Sequence, residues 1–361
     1  MKKIFMVGYS KNKGGVEAYI ENLCSGLSKE AYEVIYDWPI MLIDGKEWIR
    51  PQNRHNYIKY RCFWKRFFEE NHFDVLYYNV CDIVSIDMLK FAKRAAVPIR
   101  IIHSHSAGNQ MQLNKKLNAF HKATECINKK IISKYATHLL ACSDKAGKWM
   151  FGRHAYRTIH NGINLSNYKY SESKRKVIRD RNGIKSEELL IGYIGRMTPE
   201  KNPLYAEKIA ENILNEDLMA KFVFIGDGEL LEIVKDNVKK KQLEEQILFA
   251  GAVNNVHEWM SAIDCLIMTS LFEGLPFVLV EAQAAGLPCV VSANVSRESN
   301  LSGLVQFVDL EAGEKVWVEK IILECKKERV DVAQKLIDAG YSIDDTVKLI
   351  CDIIDSGEGE S

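Results

Sequence analysis

Short apolar runs alternate with stretches of helical period from one end of the chain to the other. In the first half the runs at 2–8, 32–36, 73–79, 98–103, 137–142 and 156–160 predict strands, and in the second half those at 188–194, 220–226, 246–250, 264–268, 287–292 and 303–308 do so. Strands spaced by helix-length segments are the pattern of parallel βαβ units. Each half holds enough for one sheet, so the expected fold is α/β, with two facing Rossmann-like domains and a ligand cleft at the carboxyl ends of their strands. The polar stretch Ser171-Glu172-Ser173-Lys174-Arg175-Lys176 separates the halves, which gives expected domains at 1–168 and 169–335. An apolar stripe through Val332, Leu336, Ile343, Val347, Ile350 and Ile354, broken at Gly340, predicts one or two terminal helices, with 336–361 packing back on the first domain and fraying after Ser356.

A length of 361 residues, 47% hydrophobic and 27% charged, suits two globular domains and leaves no room for a disordered majority. The net charge of +1 argues against a nucleic-acid binder. It conceals an asymmetry: residues 1–165 carry 26 Lys and Arg against 14 Asp and Glu, and residues 166–361 carry 23 against 34. The nine cysteines include no C-x-x-C pair, so they are expected to be reduced thiols, mostly buried fillers, in a cytoplasmic protein. No apolar run reaches the roughly 18 to 20 residues of a spanning helix, so any membrane contact is expected to be peripheral. The stretch Tyr57 to Phe68 interleaves cations with aromatics and has two readings. It is either a surface helix on an anionic membrane or an amphipathic core helix with a solvated basic face.

Four loops at predicted strand ends carry candidate chemistry. Ser10 to Glu17 contains Gly14-Gly15 ahead of an amphipathic helix, where close backbone approach and free amides suit a phosphate. His103 and His105 follow the strand at 98–103 and lie on one side of an extended chain, with either able to reach a ligand. Arg196 and Lys201 flank a loop closed by Asn202-Pro203, expected to be an N-cap and first-turn pair; two converging cations suit a diphosphate. Last, Glu273 precedes and Glu281 lies within a predicted helix starting near Pro276. Free amides at Gly274, Leu275, Phe277 and Val278 would favour an anion there, and the two carboxylates would accept hydrogen bonds from sugar hydroxyls.

Together these segments resemble glycosyltransferase family four, the retaining nucleotide-sugar glycosyltransferases of the GT-B fold, and within it the bacterial enzymes of capsular and exopolysaccharide assembly. The resemblance rests on the order of Gly14-Gly15-Val16-Glu17, His103-Ser104-His105-Ser106, His160-Asn161-Gly162-Ile163-Asn164, Gly195-Arg196 with Glu200-Lys201-Asn202, Gly226-Asp227-Gly228-Glu229-Leu230, and Phe272-Glu273-Gly274-Leu275-Pro276 running to Glu281. It implies that Arg196 and Lys201 hold the donor diphosphate and Glu281 the nucleotide ribose. Glu273 and the backbone from Gly274 through Leu275 to Phe277 would hold the transferred sugar, Gly14 and Gly15 would approach the phosphate, and Ala252 and Val253 would face the base. His105 is the favoured histidine beside the reacting carbon, with His103 the other candidate.

The resemblance further implies a UDP-sugar or other nucleotide-sugar donor, a saccharide or polyprenyl-diphosphate-linked acceptor, no metal or cofactor, and same-face attack with retention. Domain closure would exclude water from the donor. Two other classes share the architecture: a nucleotide-sugar epimerase, and a non-catalytic nucleotide-sugar-binding protein.

Overall fold

The computed structural model describes residues 1–10, 14–38, 40–50, 57–106, 108, 119–216 and 219–357. Lys11 to Lys13 of the first loop, and the end of the tail from Glu358, lie outside the described residues. The chain forms two compact units, Met1–Ile163 with Gly340–Ser361, and Asn164–Ala339.

In the first unit the strands are β1 (Lys2–Val7), β2 (Tyr32–Tyr36), β3 (Ile40–Ile43), β4 (Lys46–Ile49), β5 (Val75–Val80), β6 (Ile99–Ser104), β7 (His138–Ala141) and β8 (Arg157–Thr158). Six form a parallel sheet in the order β2-β1-β5-β6-β7-β8. Strand β1 is buried because Ile4, Phe5 and Met6 present apolar side chains to both faces, as a central parallel strand requires. The Phe5 ring sits 5.1 Å from both Phe67 and Phe73 and 5.9 Å from Trp64.

The helix Tyr57–Glu70 supplies that aromatic cluster by burying Tyr60, Trp64, Phe67 and Phe68. Its apolar stripe therefore faces the core, and the cations Lys59, Arg61, Lys65 and Arg66 lie exposed on the other side. The hairpin β3–β4 was not among the predicted strands. Its signal was present, since Asp44-Gly45 takes φ of 49° and 78° in a two-residue turn that favours Asp-Gly. The inward positions Met41, Ile43 and Trp48 are buried, while Ile40, Leu42 and Ile49 are 60 to 65% exposed.

The second unit holds β9 (Leu189–Ile194), β10 (Ala220–Ile225), β11 (Ile247–Gly251), β12 (Cys265–Met268), β13 (Cys289–Ser292) and β14 (Val305–Val308). They form a second parallel sheet in the order β11-β10-β9-β12-β13-β14, the doubly wound order with a reversal beside its first strand. All twelve predicted strands are present. Of the one or two helices expected over 332–354 there are two, and they separate: Ala333–Asp338 belongs to the second unit and Ile343–Ser356 to the first.

The last helix is tied to the first unit by Lys2 Nζ donating to Ile354 O at 2.7 Å and Tyr32 Oη donating to Asp355 at 2.9 Å. Gly162 gives it room, because a Cβ there would lie 2.5 Å from Thr346 Oγ1 and 2.7 Å from Ser342 O. This helix is acidic, so the charge division softens. Divided by unit, the chain carries 27 Lys and Arg against 20 Asp and Glu in the first, and 22 against 28 in the second.

The expectation of mostly buried cysteines is corrected. All nine are free thiols, only Cys265 and Cys289 are buried, and Cys62, Cys81 and Cys126 are exposed. They sit on helices and loops as well as strands, so small size rather than burial admits them. Among the described residues no helix is long and apolar enough to cross a membrane.

The tightest glycine contact supports the loop after β9. Gly226 has φ +138°, and a Cβ there would lie 1.9 Å from the Gly195 carbonyl oxygen. Gly226→Ala is expected to destabilise the protein by about 2 kcal/mol or more through strain and overpacking, measured by urea denaturation. An unchanged midpoint would contradict this packing.

Candidate functional site

In the second unit the reversal of strand order falls between β9 and β12, where loops leave a parallel sheet on opposite faces and open a crevice. The loop after β9 runs from Gly195 to Lys201. Its backbone is pinned from below by buried Tyr193, whose hydroxyl lies 3.1 Å from Arg196 O and 3.3 Å from Lys201 O. Met197 N donates to Asp227 O at 2.8 Å, which ties the loop to Gly226-Asp227-Gly228. Asn202 occupies the N-cap position of Pro203–Asn215 in the left-handed conformation, φ 53°, but its side chain makes no cap bond. The expected N-cap and first-turn pair is in place, with the left-handed turn rather than a side-chain bond fixing the entry of the helix, and Pro203 at its first position needs no amide partner.

The loop after β12 is tied to the same turn. Thr269 Oγ1 donates to Asn202 O at 2.8 Å, and Leu271 N donates to Glu200 O at 2.9 Å. These bonds bring Lys201 and Glu273 together as an ion pair, with the glutamate only 8% exposed. Ser270 Oγ donates to the same carboxylate oxygen at 3.2 Å, and the Glu273 carbonyl accepts from Ser296 N at 3.0 Å. Arg196, on the same loop, is 59% exposed and rests 3.4 Å from Glu200, an ion pair of little energetic consequence.

The helix Phe277–Ala284 begins at Pro276 with no side-chain cap, so its first-turn amides have no partner within the helix. Gly274, Leu275 and Phe277 are half-buried around that end, and a Cβ on Gly274 would meet nothing within 4 Å. Glu281 is half-buried in the second turn. Its carboxylate accepts from Tyr168 Oη at 2.7 Å. Burial raises the Glu281 pKa, and the phenol bond works against that rise. Burial and the adjacent carboxylate both push the Tyr168 phenol well up, so it stays a donor at any working pH. Val253 lies half-buried past the end of β11 against the apolar core, beside exposed Ala252.

In the first unit the order reverses between β1 and β5. Gly14 caps the helix Gly15–Gly26, and its amide donates to Glu17 at 3.1 Å while Ser10 Oγ bonds the other Glu17 oxygen. Glu17 thus clamps both ends of the glycine loop. His103 is fully buried, with Nδ1 2.9 Å from Tyr77 Oη. His105 is half-buried, and its ring lies tilted against those of His103 and Tyr19, with centroids 4.3 Å and 4.9 Å away. Of the two histidines, His105 is the one with surface to offer a ligand.

The His105 tautomer follows from its neighbours. Asn79 donates its amide to Val7 O at 3.1 Å, so its oxygen, 2.9 Å from His105 Nε2, must accept the Nε2 proton. Nδ1 is then an acceptor, satisfied when Asn161, 3.1 Å away, turns its amide nitrogen inward. Burial lowers the His105 pKa to about 3, and burial with the His105 charge lowers that of His103. Asn161 belongs to the stretch His160 to Asn164 and Ser270 directly precedes the loop of Glu273, but Asn79 and Tyr168 carry no sequence signal. Each acts through a partner that only the fold supplies.

Comparison with known proteins agrees with this geometry. Residues 174–301, which include Arg196, Lys201, Glu273 and Glu281, match the family described as Glycosyl transferases group 1. Over 98% of this chain and 96% of its own length, EpsF of Bacillus subtilis, which carries the name of a glycosyltransferase, is 26% identical. The UDP-Gal:alpha-D-GlcNAc-diphosphoundecaprenol alpha-1,3-galactosyltransferase of Escherichia coli is 29% identical over 56% of this chain and 53% of its own. Among solved structures, Anabaena Alr3699/HepE in complex with UDP and glucose superposes with a TM-score of 0.74 at 16% identity, covering 99% of this chain and 100% of that one. The fold is therefore the GT-B type of α/β architecture. The segment that matches the group 1 glycosyl transferases lies wholly within the second unit.

His103 and His105 make stability pH-dependent. Their folded pKa values lie below the unfolded value near 6.5, so below that value the unfolded chain takes up more protons. Their contribution is intact above pH 6.5 and shrinks as pH falls toward 3. Urea denaturation at pH 7 and pH 5 should show a loss on the order of 1–2 kcal/mol per histidine. The His105 ring should show an Nε2 proton by NMR and no titration between pH 5 and 8; a titration near pH 6.5 would contradict the network.

Proposed function

We propose that this chain is a retaining glycosyltransferase that moves a sugar from a UDP-sugar to a saccharide or lipid-linked acceptor in capsular or exopolysaccharide assembly. The observation that carries the reading is the pairing of Lys201 with Glu273 across the loops either side of the β9–β12 reversal, with Arg196 on the first loop and Glu281 in the helix that follows the second, inside the segment that matches the family. The names of relatives supply the chemistry. One transfers galactose from a UDP donor to a diphosphoundecaprenol-linked sugar, another is a capsular polysaccharide glycosyltransferase of Staphylococcus aureus, and a structure of the same fold holds UDP and glucose.

Breaking the sugar–phosphate bond places negative charge on the departing diphosphate. Lys201, Arg196 and the amides at the start of Phe277–Ala284 are aimed where that charge develops, and positioned donors of this kind lower the barrier. Their charge does the work that a metal ion does elsewhere, so the reaction proceeds without one. Lys201 is shared: Glu273 holds it in place, and the diphosphate takes a second of its three N–H directions. Glu273 keeps its remaining oxygen for a hydroxyl of the transferred sugar, and Glu281 does the same for the ribose. Within the second unit Val253 borders the base. The acceptor hydroxyl attacks from the face the phosphate leaves and gives its proton to that phosphate. Glu273 positions the sugar and forms no covalent bond.

A lipid-linked acceptor places the enzyme on the cytoplasmic face of a membrane. The exposed cations of the helix Tyr57–Glu70, with Ile40, Leu42, Ile49 and Ile58 exposed nearby in sequence, support peripheral contact with anionic lipid.

Lys201→Ala, Arg196→Ala and Glu281→Ala are each expected to raise the donor KM or lower kcat/KM by roughly ten- to a hundredfold, the loss of a charge-assisted bond. Unchanged turnover in Lys201→Ala would remove the diphosphate assignment. Activity on a UDP-sugar panel should persist in EDTA, and sugar interconversion without transfer would instead identify an epimerase. Binding to vesicles containing anionic lipid should exceed binding to neutral ones and fall when Lys59, Arg61, Lys65 and Arg66 are neutralised. Equal binding to both would contradict membrane contact.

A further inference from the structure

The residue that faces Glu281 is Tyr168, and nothing in the sequence drew attention to it. It ends the short helix Leu165–Tyr168 at the start of the second unit. Its ring is half-buried against the apolar core and meets His257 edge-on at 6.3 Å. The ring therefore cannot swing freely, and its hydroxyl is delivered to one Glu281 oxygen at 2.7 Å. Among the described residues no protein donor reaches the other oxygen.

A glutamate has three side-chain torsions, and one at a half-buried helix position can turn its carboxylate through several orientations. Fixing one oxygen with a rigid phenol leaves the second oxygen at a defined place and angle. A ribose offers two adjacent hydroxyls, and a carboxylate oxygen held still accepts from them with little further loss of freedom. The phenol and the ribose use different oxygens, so they do not compete.

We propose that Tyr168 is a positioning residue for nucleotide recognition: by holding one oxygen of Glu281, it aims the other at the ribose hydroxyls and makes the site select ribonucleotides over deoxynucleotides. This rests on the ribose-binding role given to Glu281 above. Tyr168 touches no substrate and acts wholly through Glu281. Substituting Phe removes the hydroxyl and keeps the ring that packs on the core, so the change is confined to the aim of the carboxylate.

The test uses the full chain, with UDP and 2′,3′-dideoxy-UDP as probes and affinity measured by calorimetry. The wild type is expected to prefer UDP by about tenfold or more, the effect of one hydrogen bond to a charged group. Tyr168→Phe should reduce that preference to about threefold or less, by weakening UDP while leaving dideoxy-UDP unchanged. Glu281→Ala should abolish the preference. A general structural defect would weaken both nucleotides equally and lower the thermal midpoint, and that outcome overturns the proposal. If Glu281→Ala loses the preference and Tyr168→Phe keeps it, Tyr168 has no positioning role and the Glu281 assignment stands. If Glu281→Ala itself keeps the preference, the ribose role of Glu281 fails and the proposal falls with it.

Discussion

The second unit is organised by the reversal of strand order at β9. Because β10 pairs on one side of it and β12 on the other, the connections after β9 and β12 pass to opposite faces of the sheet. No crossover helix can cover the gap between them, so two loops of polar backbone must be satisfied without one. Here they satisfy each other. Thr269 bonds Asn202, Leu271 bonds Glu200, and Lys201 pairs with Glu273. Removing one partner of such a half-buried pair leaves the other charge with its desolvation uncompensated, so the contact that shapes the crevice is also the one that sets its charge. An acidic unit can hold an anion by this means, since the cation needed is placed locally and the remaining negative charge is spread over a solvated surface.

The first unit has the same reversal, between β1 and β5, and fills it differently. Its polar groups form a closed neutral network through Asn79, His105 and Asn161, with Glu17 clamping the glycine loop. Two adjacent imidazoles held without charge can border a ligand's hydroxyls without repelling a cation or attracting a stray anion. The two units thus meet the same topological demand with different electrostatics, an ion pair in one and a neutral hydrogen-bonded chain in the other.

Much of the fold was legible because buried parallel strands leave a strong mark: Ile4-Phe5-Met6 and Val290-Val291 are apolar on both faces. The hairpin β3–β4 was harder, since its outward face carries Ile40, Leu42 and Ile49 and so shows no alternation of apolar with polar; only Asp44-Gly45 marked it. Site residues that act by residue type at a strand end, Arg196, Lys201, Glu273 and Glu281, were visible as motifs. Tyr168 was not, because its meaning depends on a partner 113 positions away. Asn202 shows the converse: its identity suggested a side-chain cap, whereas the structure uses its tolerance of the left-handed conformation. In the basic aromatic stretch at Tyr57 to Phe68 the aromatic face packs against Phe5, and the cations lie exposed on the other side.

The return of Ile343–Ser356 to the first unit makes the second unit, topologically, an insertion within the first. Chain segments emerge in order during synthesis and domains fold as units when complete. The second unit is continuous from Asn164 to Ala339 and has all its strands before the last helix is made. The first unit, begun earlier, must wait: the apolar side of the helix Gly15–Gly26, including the surface at Gly26 that Val347 covers, stays uncovered until Ile343–Ser356 is made. The half of the molecule that starts first is therefore the half that finishes last. For that interval its stability rests on the aromatic cluster around Phe5, which is assembled entirely from residues already made.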